Sequence, residues 1–121
     1  MNPNNIITVE IHTSIIDAAK KMTYHNASFI VVCESCLPVG MVTYKDFVKK
    51  NIVIDNPKDT EIKKIMSTPL IHSRPEQSIW EVADMMYARE IKVIPVIDEY
   101  DRVLGAVGMV DIVKAFALHK N

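Results

Sequence analysis

Basic excess, glycine loops, cysteine pairs and long apolar runs are all scarce in this chain, and each shortage removes a class of function. Fourteen Lys and Arg against fifteen Asp and Glu give a formal charge of −1. Without a net basic surplus, a nucleic-acid or anionic-membrane partner is disfavoured, a local patch apart. Three glycines, Gly40, Gly105 and Gly108, do not form a Walker loop. No apolar stretch approaches the roughly 20 residues that a membrane span requires. The opening Met1-Asn2-Pro3-Asn4-Asn5 lacks the basic-then-apolar build of a signal peptide. With only two cysteines and no export signal, the expected compartment is a reducing cytoplasm. His12, His25, His72 and His119 make no metal or triad pattern. No paired catalytic carboxylates or Ser-His-Asp set can be argued either, so the chain is not expected to be an enzyme and no catalytic cofactor is implied.

What is present is a core and a repeat. Of 121 residues, 49% are apolar, ample for a globular fold. Ser14-Ile15-Ile16-Asp17-Ala18-Ala19-Lys20-Lys21-Met22 lies over Ser78-Ile79-Trp80-Glu81-Val82-Ala83-Asp84-Met85-Met86 at an offset of 64. Gly40-Met41-Val42-Thr43-Tyr44-Lys45-Asp46 lies over Gly105-Ala106-Val107-Gly108-Met109-Val110-Asp111 at an offset of 65. One extra residue near Asp101 accounts for the difference. Two matching blocks in the same order make an internal repeat.

Each copy reads alike. Ser14 and Ser78 are predicted helix caps, with Asp17 and Glu81 three residues on. Ile15, Ala18, Ala19 and Met22 then form one apolar helix face, repeated by Ile79, Val82, Ala83 and Met86. Strands are predicted at 28–33 and 39–42, and again at 92–97 and 103–107, as hairpins. Leading strands are expected at 6–10 and 70–73, and second helices after Thr43 and Gly108. The predicted fold is therefore α+β: two β-α-β-β-α repeats packed sheet to sheet about a pseudo-twofold axis, leaving a cleft. The repeats are assigned to residues 1–56 and 57–121, with 51–60 as connector. A repeat of roughly 60 residues buries too little surface to be secure alone, which favours pairing.

Several features carry rival readings. Thr43-x-x-Asp46 can be a capping box, and the same helix start can also suit a phosphate. Cys33-Glu34-Ser35-Cys36 has C-x-x-C spacing, but a zinc site wants four ligands and no second pair exists. Ordinary thiols are favoured, with a metal or redox sensor as the minor alternative. The helix bearing Ile112, Val113, Phe116 and Ala117 is apolar on more than one face, since Val110, Ala115 and Leu118 lie between them. The helix from Ser78 to Tyr87 likewise adds Trp80, Met85 and Tyr87 to its inner face. Such surplus apolar surface points to a homodimer.

Three segments, Gly40 to Phe47, Lys64 to Ile71 and Ile91 to Asp98, resemble the CBS (cystathionine β-synthase) domain family in order and spacing. The likeness covers essentially the whole chain and is that of a stand-alone CBS pair, a Bateman-type module. Its nearest functional analogy is the γ subunit of AMP-activated protein kinase. The resemblance implies a regulatory module that binds an adenosine compound (AMP, ADP, ATP or S-adenosylmethionine) and modulates an unidentified partner protein or enzyme. It implies that Asp46 accepts hydrogen bonds from ribose hydroxyls and that Thr43 and Met41 stand beside it. Leu70, Ile71, Ile91, Val93 and Pro95 of the other repeat would enclose adenine, with Lys92 on the phosphate. A second pocket would combine Asp111 and Gly108 with Ile6, Ile7, Ser28, Phe29 and Lys45, weakened because Gly108 offers no hydroxyl. Basic residues of the kinase subunit's pocket are replaced by Ser28, Val93 and Val110, which favours AMP over a triphosphate. The rival from another class is a structural or interaction module with vestigial pockets.

Overall fold

A computed structural model describes residues 6–50 and 56–119. They divide between Leu70 and Ile71 into two compact halves. In the first half, strand β1 (Thr8–Glu10) leads through helix α1 (Ile15–His25) to strands β2 (Phe29–Glu34) and β3 (Leu37–Thr43) and helix α2 (Tyr44–Lys49), followed by a 3-10 turn at Ile62–Lys64. The second half contains helix α3 (Ile79–Arg89), strands β4 (Val93–Ile97) and β5 (Val103–Gly108), and helix α4 (Met109–Leu118). The predicted order of helices and hairpins is present in both.

The caps explain where the first helices begin. Ser14 is extended, and its hydroxyl accepts the Asp17 amide at 3.1 Å. Ser78 does the same for the Glu81 amide at 3.1 Å, and Glu81 returns a contact to the Ser78 N–H, a capping box. Both helices stop at a left-handed residue, Asn26 (φ 52°) and Glu90 (φ 55°), whose N–H groups satisfy carbonyls of the last turn. Ile15, Ala18 and Met22 are buried on α1, and Val82 and Met86 on α3, so the i, i+3/i+4, i+7 face packs inward.

The first sheet runs β1-β2-β3, with β1 parallel to β2 and β2 antiparallel to β3. Ser35 and Cys36, both at positive φ (51° and 67°), form the two-residue hairpin turn whose twist matches its strands. Phe29, Ile30, Val31 and Val32 are all buried, so β2 is covered on both faces.

Residues 56–67 depart from the expected connector, of which 51–55 lie outside the described residues. They pack as part of the first half. The carbonyls of Thr60 and Pro57 accept the Ile15 and Ile16 N–H groups at 2.9 and 3.0 Å, and the Ile62 N–H returns to Thr13 at 2.7 Å. These bonds satisfy amides that a helix start leaves without intrahelical partners. Ile62 and Ile65 are completely buried in the same core as Ile15, Ala18 and Met22. A repeat boundary drawn at 56/57 in sequence and the spatial division at Leu70 therefore differ by this segment.

Among the described residues no strand spans 70–73, but Ser73 bridges β4 at Val96 through its N–H to Pro95 O at 3.0 Å and its carbonyl to Ile97 N at 2.9 Å. Pro69 and Pro75 flank the segment and have no N–H to continue a ladder. Among the described residues the second sheet is β4-β5, antiparallel, and its Ile94, Val96 and Val107 form a buried cluster with Val82 and Met86 of α3.

Candidate functional site

Thr43 ends β3 in an extended conformation and opens α2, which puts Asp46 at the third helical position. Asp46 is only 8% exposed. Its Oδ2 accepts the Thr43 N–H at 2.9 Å and the Thr43 hydroxyl at 3.3 Å. This is the capping role read from the sequence. Oδ1 is less heavily used: it accepts the Ser67 hydroxyl at 3.4 Å and lies 3.8 Å from the Lys50 ammonium. That ammonium is itself committed to the Ile65 carbonyl at 2.9 Å. Among the described residues, one oxygen of this nearly buried carboxylate is therefore held only by a long hydrogen bond and a distant cation, an acceptor suited to a stronger donor.

Ser67 was not singled out by its sequence position. It reaches Asp46 because Ser67 and Met41 exchange two backbone bonds, 3.1 and 2.8 Å, along the free edge of β3. Gly40 permits the approach: a Cβ there would stand 2.8 Å from Met66 Sδ and 2.9 Å from the Ser67 carbonyl. Met41 is buried, Phe29 pairs in register with Thr43, and Leu70 is buried at the end of this half. Ile7 is buried, Ile6 half-buried, and Ser28 and Lys45 are exposed.

In the second half the equivalent turn joins β5 to α4. Gly108 is extended, and its N–H donates to Asp111 Oδ2 at 2.7 Å. That hydrogen bond holds the Asp111 carboxyl below its ordinary range, against the opposing effect of partial burial. A Cβ on Gly108 would meet nothing nearer than 3.8 Å, so glycine is not sterically demanded here. Val93 pairs with Gly108, which brings the start of β4 beside the start of α4. Lys92 is exposed just before that strand, Ile91, Val93 and Ile71 are half-buried, and Pro95 is fully buried. The first half thus gathers Met41, Thr43, Asp46 and Phe29 at one turn. The second half gathers Val93, Gly108 and Asp111 at the matching one.

Cys33 is half-buried at the end of β2 and Cys36 exposed in the hairpin turn, and both thiols are free. Burial, then the facing Glu10 and Cys36, push the Cys33 thiol up, which favours the unreactive protonated form. Among the described residues no three His, Cys, Asp or Glu side chains are grouped to hold a metal ion. Nor is any described helix long and apolar enough to cross a membrane.

A profile of the CBS domain family matches residues 1–52 and 62–118. The CBS domain-containing protein YhcV of Bacillus subtilis is 27% identical over 107 residues, spanning 88% of this chain and 76% of that protein. The L-aspartate semialdehyde sulfurtransferase of Methanocaldococcus jannaschii is 33% identical over 111 residues, 91% of this chain but only 21% of its own length. Among solved structures, the CBS domain pair of protein MJ0100, in complex with 5′-methylthioadenosine and S-adenosyl-L-methionine, is 29% identical with a TM-score of 0.78. That match covers 93% of this chain and 88% of that one. The CBS domain protein TA0289 of Thermoplasma acidophilum superposes with a TM-score of 0.84 at 25% identity, over 94% of this chain and 65% of its own.

Proposed function

Since this chain belongs to the CBS domain family, whose paired repeats are regulatory modules, we propose that it binds an adenosine-containing compound and signals occupancy to a partner protein. The observation that supports this most is the pair of equivalent strand-to-helix turns, each with an aspartate at the third helical position. At Asp46 one carboxylate oxygen is only loosely engaged, so a ribose hydroxyl could displace Ser67 there at little cost. In this reading the turn of the first half holds a ribose through Asp46 and Thr43. In the second half the exposed Lys92 meets a phosphate and the half-buried Ile71, Ile91 and Val93 meet a base. The Asp111 turn lacks the threonine hydroxyl, so its site is the weaker of the two. AMP is the favoured ligand, because Ser28, Val93 and Val110 stand where the resembled kinase subunit carries basic residues. MJ0100, at 29% identity, supports adenosine chemistry through its two bound nucleoside compounds.

A thermal-shift series with AMP, ADP, ATP, S-adenosylmethionine and 5′-methylthioadenosine tests the reading. A ligand that binds only the folded state must raise its apparent stability. A rise with at least one compound is expected. No shift with any of them at millimolar concentration would leave the interaction-module reading in its place.

Exposed apolar side chains favour assembly as well: Met109, Val110, Val113, Phe116 and Leu118 of α4 all face solvent. We read this surface as the contact of a homodimer, which light scattering behind size exclusion will check.

A further inference from the structure

We propose that Lys50 is a switch on the Asp46 site. While residues 62–67 are seated against β3, the Ile65 carbonyl holds the Lys50 ammonium away from Asp46 Oδ1 and leaves that oxygen open. When the segment lifts, Lys50 closes onto Oδ1 and blocks it. The proposal rests on the ribose reading of Asp46 above and deepens it, by making the seating of this segment a condition of binding.

Asp46 lies in the first turn of α2, and Lys50 caps its far end four residues on. Their side chains therefore stand on one helix face with the acid on the N-terminal side, the favourable order for an ion pair. A closed pair of this kind sits at about 2.7–2.9 Å. Here it stays open at 3.8 Å. The ammonium is instead 2.9 Å from the Ile65 carbonyl, 15 residues further along the chain. Lys50 is half-buried and Asp46 buried, so the choice between these two acceptors is partly shielded from water and weighs more for it. Asp46 Oδ2 offers no third place, since the Thr43 N–H and hydroxyl already occupy it.

The Ile65 carbonyl stands where it does because its segment is seated. Ile62 and Ile65 are completely buried. Ser67 and Met41 exchange backbone bonds of 3.1 and 2.8 Å along β3. Gly40 leaves the room for this, as a Cβ there would meet Met66 Sδ at 2.8 Å and the Ser67 carbonyl at 2.9 Å. The Ser67 hydroxyl also reaches Oδ1, but at 3.4 Å and without charge it competes less than an ammonium does. Seating thus exchanges a strong competitor for a weak one. Linkage makes the effect reciprocal: a ligand hydroxyl on Oδ1 favours Lys50 on Ile65, and so favours the seated segment.

Adenosine is the probe, because it carries no phosphate on which loss of a lysine would act directly. In titration calorimetry, Gly40→Ala, which displaces residues 66 and 67 without touching Asp46, should weaken adenosine about tenfold. Lys50→Met alone should stay within about twofold of the parent. Gly40→Ala/Lys50→Met should recover most of the lost affinity, since no ammonium remains to close on Oδ1. Failure to recover, or a Lys50→Met chain as weak as Gly40→Ala, overturns the switch. Hydrogen exchange gives a readout that does not need Gly40→Ala to fold. Saturating adenosine should slow the amides of residues 62–67 several-fold in the parent and leave them unchanged in Lys50→Met; equal slowing in both overturns the switch as well. A parent chain that binds no adenosine refutes the ribose reading itself, and the switch is then judged without ligand. In urea unfolding, Lys50→Met and Asp46→Asn should act additively in the parent background. In Gly40→Ala they should depart from additivity by about two- to fivefold in the unfolding constant, as a closed ion pair would. Additivity in both backgrounds refutes the switch on its own terms.

Discussion

Replacing Asp46 separates its two roles, because asparagine keeps one and loses the other. Asp46→Asn can still accept the Thr43 N–H through its carbonyl oxygen, so most of the cap survives. Asp46→Ala removes the 2.9 Å bond altogether. By comparison with other helix caps, that should cost about 0.5–2 kcal/mol of stability. Ligand binding follows a different scale. A ribose hydroxyl on a carboxylate is a charge-assisted hydrogen bond worth about 1.5–3 kcal/mol, and both substitutions abolish the charge. A loss of roughly 10- to 150-fold in affinity is expected for either variant. Titration calorimetry with AMP, on protein shown to be folded by circular dichroism, is the assay. Parallel urea unfolding should rank Asp46→Asn close to the parent and Asp46→Ala below it. If both variants bind AMP as tightly as the parent, Asp46 is a cap and nothing more, and the proposed ribose contact is wrong.

Other substitutions probe separate claims. Lys92→Ala should weaken AMP several-fold while leaving adenosine unchanged, as expected for an exposed lysine that touches only the phosphate; equal loss for both would remove it from that role. Ser73 carries a fully buried hydroxyl with no hydrogen-bond partner among the described residues, at the place where the first half has Val9, so Ser73→Ala should stabilise by about 1 kcal/mol in urea unfolding. A destabilised Ser73→Ala would mean that the hydroxyl is satisfied after all. The lowered pKa of Asp111 contributes stability that is present above its unfolded pKa of about 3.9 and is lost as pH falls through the lower folded value. Denaturation followed from pH 5 downward should therefore show the parent losing its advantage over Asp111→Asn below about pH 4, whereas a constant difference would contradict the linkage.

Much of the fold was legible because the signals are local. Ser14 and Ser78 announce helix starts through bonds to amides three residues on. The apolar stripes of α1 and α3 follow from 3.6-residue periodicity, and the offset between the two copies exposes the architecture. The Thr43–Asp46 turn was readable for the same reason, since both partners lie within one helical turn. The pairing of the leading segment of the second half was less legible, because strand pairing is decided by a neighbour distant in sequence, and among the described residues it is Ser73 that bridges Val96.

The sequence by itself determined the repeat, the order of its elements, their caps and the aspartate at each strand-to-helix turn, all of which depend on contacts within a few residues. Tertiary structure alone decided that residues 56–67 close the first half instead of merely linking it. Their carbonyls meet the opening amides of α1 across some 40 residues of chain. It also decided that the Ser67 hydroxyl shares the Asp46 carboxylate, through a ladder that Gly40 leaves room for. Exposure was settled at the same level: Pro95 is sealed in the core while Lys92, three residues earlier, faces solvent. Hydrogen bonds across long sequence separations form only when the folded core brings their partners together, and no local spacing announces them.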